Sequence, residues 1–345
     1  MTLYRYNEPL HATKRFITDP ALYDAMSGDS EQGDKKKFTT HLNKVRNADQ
    51  IDLRAVTIQT IDPDHPDFTA VYAMLDREFG AKGEIETPEV LRRRSLWNPS
   101  QPENNQPPLA YRLVILKHPR RAAVEGETNV LSVDGQEIIG VRDHNLIFRA
   151  DMVVVHLSHS LLAEHVRGQG LDTILRTIPV LDAQSFANQL GYPNAPIILY
   201  SEQEPAPTIA EVQAAEHSQR VAGNNADLAD INMRRRRLKA YQSGLFKKVG
   251  LAYACAQPDF STSEQITAKG GPTMVGLQGI WRIVGDECAN KTTGRILRTA
   301  VSAVYDMYEA SGLDPRAIQQ ARESLQLYPP DDAEIPLVQP TVLIL

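Results

Sequence analysis

The turn Arg167-Gly-Gln-Gly170 has the residue types of an anion site. Upstream, Met152 to Val155 is a β-branched run that reads as a buried strand, and downstream Leu171, Ile174, Leu175 and Ile178 recur at helical spacing. The turn therefore falls where a strand feeds a helix. There, glycines let the backbone come close to a phosphate, and the unpaired N–H groups and positive dipole end of the helix attract negative charge. A pyrophosphate is the natural ligand, with Arg167 as its charge partner. On these residues alone, an ordinary glycine-containing loop before a helix is the plain alternative.

Other chemistries find less support. There is no Gly-x-x-x-x-Gly-Lys phosphate loop and no Gly-x-Ser-x-Gly elbow, so nucleotide hydrolysis and serine hydrolysis fall away. His156 and His159 lie close together but lack a third ligand at useful spacing, and no metal is expected. Arg234 to Arg237 is the strongest basic run. Consecutive helical residues point around the axis and no aromatics interleave them, so a solvated face or an acidic partner is expected and nucleic acid is not.

In this setting the Arg167 segment resembles motif A of the GNAT superfamily of acyl-CoA-dependent N-acyltransferases, where a strand, an Arg-x-x-Gly-x-Gly/Ala turn and a helix hold the CoA pyrophosphate. Arg167 and Gly170 fall on the first two motif positions, and Asp172 stands where the third is usually Gly or Ala. A carboxylate there suits the helix dipole but repels a nearby pyrophosphate. The resemblance implies acetyl-CoA as acyl donor, held by Arg167, Gly168, Gln169, Gly170, Leu171 and Asp172, with pantetheine pairing to the backbone of Leu161, Leu162 and Ala163. It implies direct transfer to a small-molecule or peptide amine, without a covalent intermediate.

That reaction needs a base for the ammonium proton, a backbone amide near the end of the central strand for the oxyanion, and an acid for the thiolate. His156 and His159, on or just after that strand, are the candidate bases, against the commoner role of a hydrogen-bonded structural histidine. His165, directly before the turn, is expected to face solvent. GNAT members often carry a Tyr four residues before the Gly that follows the penultimate helix, and here Phe246 stands at that place before Gly250. Tyr241 and Tyr253 are the remaining candidate acids, with core packing as their alternative. Phe246 and Asp172 keep a second reading open: a catalytically silent CoA-binding or scaffolding protein of the same fold.

The elements that position these groups follow from pattern. A strand is expected at Ala55 to Ile61, a helix from Asp67 with Phe68, Val71, Tyr72 and Leu75 on one face, and a second helix after Thr87-Pro-Glu. Strands are expected at Tyr111 to Lys117, Gln136 to Val141 and Leu146 to Leu157, with Asp143-His-Asn as a turn between the last two. The Gly170 helix should run to Leu190, stop at Gly191 and kink at Pro179. A strand at Pro196 to Tyr200, a helical stretch at Ile209 to Val221, a helix from Leu228 to Lys247 and strands at Gly250 to Ala256 and Pro272 to Val284 complete the series.

This order is the one the resemblance implies: an α/β (α+β) fold with a mixed, mostly antiparallel twisted sheet flanked by helices. It divides the chain into an N-terminal extension (1–52), an acyltransferase domain (53–285) and a helical C-terminal addition (286–345), where Ile296, Leu297, Ala300, Val304 and Met307 form a core-facing stripe.

Composition fits. The chain has 345 residues, 42% of them hydrophobic, enough for a sizeable core. Its net charge of -6 mildly favours a cationic substrate. Two cysteines, Cys255 and Cys288, an N-terminus without a signal pattern and no long apolar run together predict a cytoplasmic protein without a membrane partner. A homo-oligomer is compatible with all of this.

Overall fold

The structure, a computed structural model, describes residues 56–80, 85–100, 102, 106–120, 130–167, 171–203, 207–222, 227–232, 234, 249–250, 253–284 and 291–338. The chain begins with β1 (Thr57–Ile61), α1 (Phe68–Phe79), α2 (Pro88–Ser95), β2 (Leu109–His118), β3 (Glu137–Arg149) and β4 (Met152–Leu162). Next come α3 (Asp172–Gln189), β5 (Ile197–Gln203), α4 (Ile209–Ala222), β6 (Val249–Gly250), β7 (Tyr253–Gln257), α5 (Ser263–Ala268) and β8 (Val275–Ile283). The remainder holds β9 (Lys291–Thr293), α6 (Gly294–Ala310), α7 (Pro315–Glu323) and β10 (Glu334–Val338). Among the described residues no helix is long and apolar enough to cross a membrane.

Seven strands form one sheet in the order β1-β2-β3-β4-β5-β8-β7. Only β4 and β5 are parallel, joined by the α3 crossover, and every other pairing is antiparallel. The alternation along β2 shows how the layers build on the sheet. Leu109, Tyr111, Leu113 and Ile115 pack toward α1, α2 and α6, while Ala110, Val114 and Leu116 pack toward α3.

The described part of the C-terminal segment, residues 291–338, is largely helical, and it also carries β9 and β10, which join β6 in a small sheet of order β6-β10-β9. Its helix α6 is amphipathic: Leu297, Ala300, Val301, Val304, Met307 and Tyr308 are buried against Leu109, Ile147, Val154, Ile198, Tyr200 and Trp281 of the large sheet. Burying each large apolar side chain contributes roughly 1.5–3 kcal/mol, so this helix is a layer of the core.

The turn expected between Val141 and Leu146 is overturned. Asp143-His144-Asn145 is not a turn; it lies inside the 13-residue strand β3. The chain reverses instead at Ala150 and Asp151, both with positive φ (50° and 62°), between the paired residues Arg149 and Met152. Two consecutive left-handed residues close a two-residue hairpin whose twist suits the flanking strands. The polar triplet stays in the strand because each member has a polar partner inside the protein.

Candidate active site

The register of β4 against β3 decides what faces what. Arg142 pairs with Ser160 and His144 with Leu157, so Ser158 and His159 together stand opposite Asp143. That extra residue is a β-bulge. Strand residues three apart ordinarily point to opposite faces, but the bulge restores His156 and His159 to one face. His156 lies edge-on to Tyr308 of α6 (5.8 Å between ring centres) and His159 against Phe79 of α1 (4.8 Å).

Beyond His156 the sheet opens. Pairing between β4 and β5 covers only Val153–His156 against Ile197–Tyr200, while β4 stays on β3 to Leu162 and β5 stays on β8 to Gln203. The Ala163 N–H donates to the Ile139 carbonyl (3.0 Å), so by alternation the backbone groups of Ser160 and Leu162 point away from β3, toward the opening. The Leu162 carbonyl there accepts a hydrogen bond from Nε of the exposed Arg167 (3.0 Å). A short 3-10 turn, Glu164–Val166, then leads toward α3.

Two polar clusters flank the bulge. In the first, Asp143 is fully buried, its Oδ1 and Oδ2 lie 3.0 and 3.2 Å from His159 Nδ1, and Oδ1 accepts the His159 backbone N–H (2.6 Å). Burial pushes the Asp143 carboxyl up, but the charge and hydrogen bonds of His159 outweigh it and hold it down at about 2. An ionised Asp143 fixes the His159 tautomer with its proton on Nδ1, which leaves the lone pair on Nε2. Burial, followed by the Asp143 charge, drives the neighbouring Tyr111 phenol well above its usual range.

In the second cluster, Asn145 Nδ2 donates to Ser158 Oγ (3.2 Å), Ser158 Oγ lies 3.3 Å from His156 Nδ1, and His156 Nε2 lies 3.6 Å from Glu202 Oε2. The Tyr308 hydroxyl donates to the same Glu202 oxygen (2.9 Å). Burial and the charges of Glu202 and Glu86 push this phenol well above its ordinary value, so it serves Glu202 as a neutral donor. Arg94, fully buried, pairs with Glu86, donates to Ser311 Oγ (2.8 Å) and lies 5.9 Å from the Tyr308 ring centre.

The sheet order, the lone parallel pair, the α3 crossover and the opening between β4 and β5 decide the architecture. The fold is GNAT-like. No family model matches the sequence, and no curated protein is significantly similar to it. Solved structures that are similar at low level include the following three. One is an aminoglycoside acetyltransferase from an uncultured soil metagenomic sample in complex with sisomicin (11% identity, 48% of this chain and 86% of that chain, TM-score 0.26). Another is a putative GNAT-family acetyltransferase from Bacteroides thetaiotaomicron (12% identity, 65% and 85%, TM-score 0.29). The third is an aminoglycoside 6'-N-acetyltransferase complexed with coenzyme A (11% identity, 66% and 96%, TM-score 0.31).

Of the residues singled out by sequence, His156, His159, Leu161, Leu162, Ala163 and Arg167 gather along the open end of β4. Leu171 is buried at the start of α3, and Asp172 is the first residue of that helix. Tyr253 lies on β7, at the far edge of the sheet. Gly168, Gln169, Gly170, Tyr241 and Phe246 lie outside the described residues, as do residues 1–52 and Arg235 to Arg237. Arg234 pairs with Glu211 of α4 (3.2 Å) and Asp230 (3.1 Å). His165 does not face solvent: its side chain is buried, with Nε2 3.2 Å from Glu137 Oε1.

Sequence reading missed Asp143, Asn145, Glu202 and Tyr308. Asp143 and Asn145 do carry a signal, a charged and an amide residue breaking an apolar strand, but the same pattern marks a turn. Tyr308 follows the apolar stripe of α6, and nothing in the sequence separates it from core.

Proposed function

We propose that this chain is an N-acetyltransferase that moves an acetyl group from acetyl-CoA directly to a small-molecule or peptide amine. The observation that carries the reading is the opening between β4 and β5, which ends at the Arg167 turn and α3 and is flanked by the Asp143–His159 pair on the bulge. Outward backbone groups of Ser160 and Leu162 suit the amides of a pantetheine arm. The exposed Arg167 and the turn through Gly170 suit a pyrophosphate.

In this reading His159 Nε2 takes the proton from the acceptor ammonium. The resulting imidazolium is stabilised by Asp143, and such a positioned base contributes about 10²–10⁴-fold. Backbone N–H groups at the open end of β4 polarise the thioester carbonyl. Of the two candidate histidines, His159 is the base proposed, because the ionised Asp143 beside its Nδ1 compensates the charge that it gains. Tyr241 and Tyr253 are the acids proposed for the thiolate, and a cytoplasmic location belongs to the same reading.

The test is release of free CoA thiol from acetyl-CoA across a panel of amines, amino acids, aminoglycosides and peptides. Amine-dependent release that falls in His159→Gln supports the reading. Acetyl-CoA binding, seen as a rise in thermal stability, without turnover on any amine would favour the catalytically silent CoA-binding protein instead.

A further inference from the structure

We propose that Ser158, His156 and Glu202 form a nucleophilic triad that hydrolyses acyl esters and thioesters through an acyl-serine. Ser158 and His156 lie within hydrogen-bond distance, and His156 and Glu202 lie within ion-pair distance. The Asn145 amide nitrogen lies 3.2 Å from Ser158 Oγ and 3.4 Å from His156 Nδ1; with the shorter contact donated to Oγ, the serine proton points at His156 Nδ1 (3.3 Å). With Nδ1 as acceptor, the His156 proton resides on Nε2 and faces Glu202 Oε2 (3.6 Å). Tyr308 donates to that same oxygen (2.9 Å), which holds the carboxylate on the imidazole side. A nucleophile within reach of a base, itself oriented by a buried acid, is the arrangement that activates serine, and such contacts run long before substrate binds.

Position supports the same conclusion. Ser158 and His156 are two residues apart on β4, so their side chains share a face, and Ser158 is half-buried at the bulge where β4 and β5 separate. Glu202 lies past Tyr200, the last residue of β5 paired with β4, across that opening. The missing Gly-x-Ser-x-Gly elbow excludes one scaffold for such a serine; the constellation itself is recognised by geometry and not by sequence position.

The chemistry balances with water as co-reactant. Ser158 Oγ attacks the acyl carbonyl as its proton passes to His156 Nδ1. The C–O or C–S bond breaks, and the leaving alcohol or thiol takes that proton. Water then attacks the acyl-serine, His156 accepts a water proton and returns it to Oγ, and the carboxylic acid departs. Thioester hydrolysis rests on the acyl-CoA reading above, whereas activation of Ser158 does not.

A fluorophosphonate probe, which reacts with activated serines, separates the two. Folded wild-type protein should be labelled on Ser158 by mass spectrometry, and Ser158→Ala should not be labelled. His156→Gln and Glu202→Gln should label at least about tenfold more slowly. Hydrolysis of p-nitrophenyl acetate, and of acetyl-CoA without amine, should fall about 10³-fold in Ser158→Ala. A folded wild type that takes no label, or a Ser158→Ala protein labelled as well as wild type, overturns the triad. Labelling with p-nitrophenyl acetate turnover but no acetyl-CoA hydrolysis supports the triad and counts against acyl-CoA as its substrate.

Discussion

In the proposed amine transfer the chemistry depends on Asp143, which sets the tautomer of His159 and would compensate the charge that His159 acquires. Asp143→Asn keeps the volume and removes the charge. Amine-dependent thiol release should fall about 10²-fold or more, a loss that steady-state kinetics at neutral pH will show. The same carboxyl also has a stability consequence. Its folded value of about 2 is below its ordinary 3.8, so it stabilises the protein above about pH 4, and this stability is lost as pH falls toward 2. The amount is on the order of 2 kcal/mol. Urea unfolding followed from pH 6 downward should therefore weaken more steeply in wild type than in Asp143→Asn. His156 and His159 were legible in the sequence as strand histidines, whereas their partners were not. Asp143 is 16 residues from His159, and Tyr308 is 106 residues from the carboxylate that it bonds, so only the folded chain brings these groups together.

Among the elements, β3 and β4 carry most of the site, and their connection was read wrongly for a physical reason. Positive φ at a tight hairpin usually announces itself through Asn and Gly, but Ala150 and Asp151 occupy those conformations here. Each is a strained choice, and a left-handed non-glycine residue costs roughly 1–2 kcal/mol. Ala150→Asn together with Asp151→Gly should raise the melting temperature without changing activity, measured by calorimetry and by thiol release. The bulge was equally hidden. Strict alternation separates His156 from His159, and nothing in the local sequence marks the one extra residue that reunites them. The helices were more legible, since the spacing of Phe68, Val71 and Leu75 and the stripe from Leu297 to Met307 match the faces that are buried.

On the scale of the whole molecule, α6 belongs to both core and site. Its Leu297, Val301 and Val304 cover the sheet, and its Tyr308 reaches the carboxylate beside His156. Leu297→Ala should cost about 2–5 kcal/mol, read as a lower urea midpoint, because Leu297 is buried against a packed sheet that cannot close over the gap. The seven-stranded order was legible as a succession of patterns, while the depth of the opening between β4 and β5 was not, since it depends on where a pairing stops. The central claim is that acetyl-CoA binds there with its pyrophosphate at the Arg167 to Gly170 turn. Calorimetric titration of acetyl-CoA into wild type and Gly170→Glu tests it most directly, since the substitution puts a carboxylate where the ligand's own charge must sit. Saturable binding by wild type that collapses in a folded Gly170→Glu is the predicted result. Equal binding by both proteins, or none by wild type, would contradict the account.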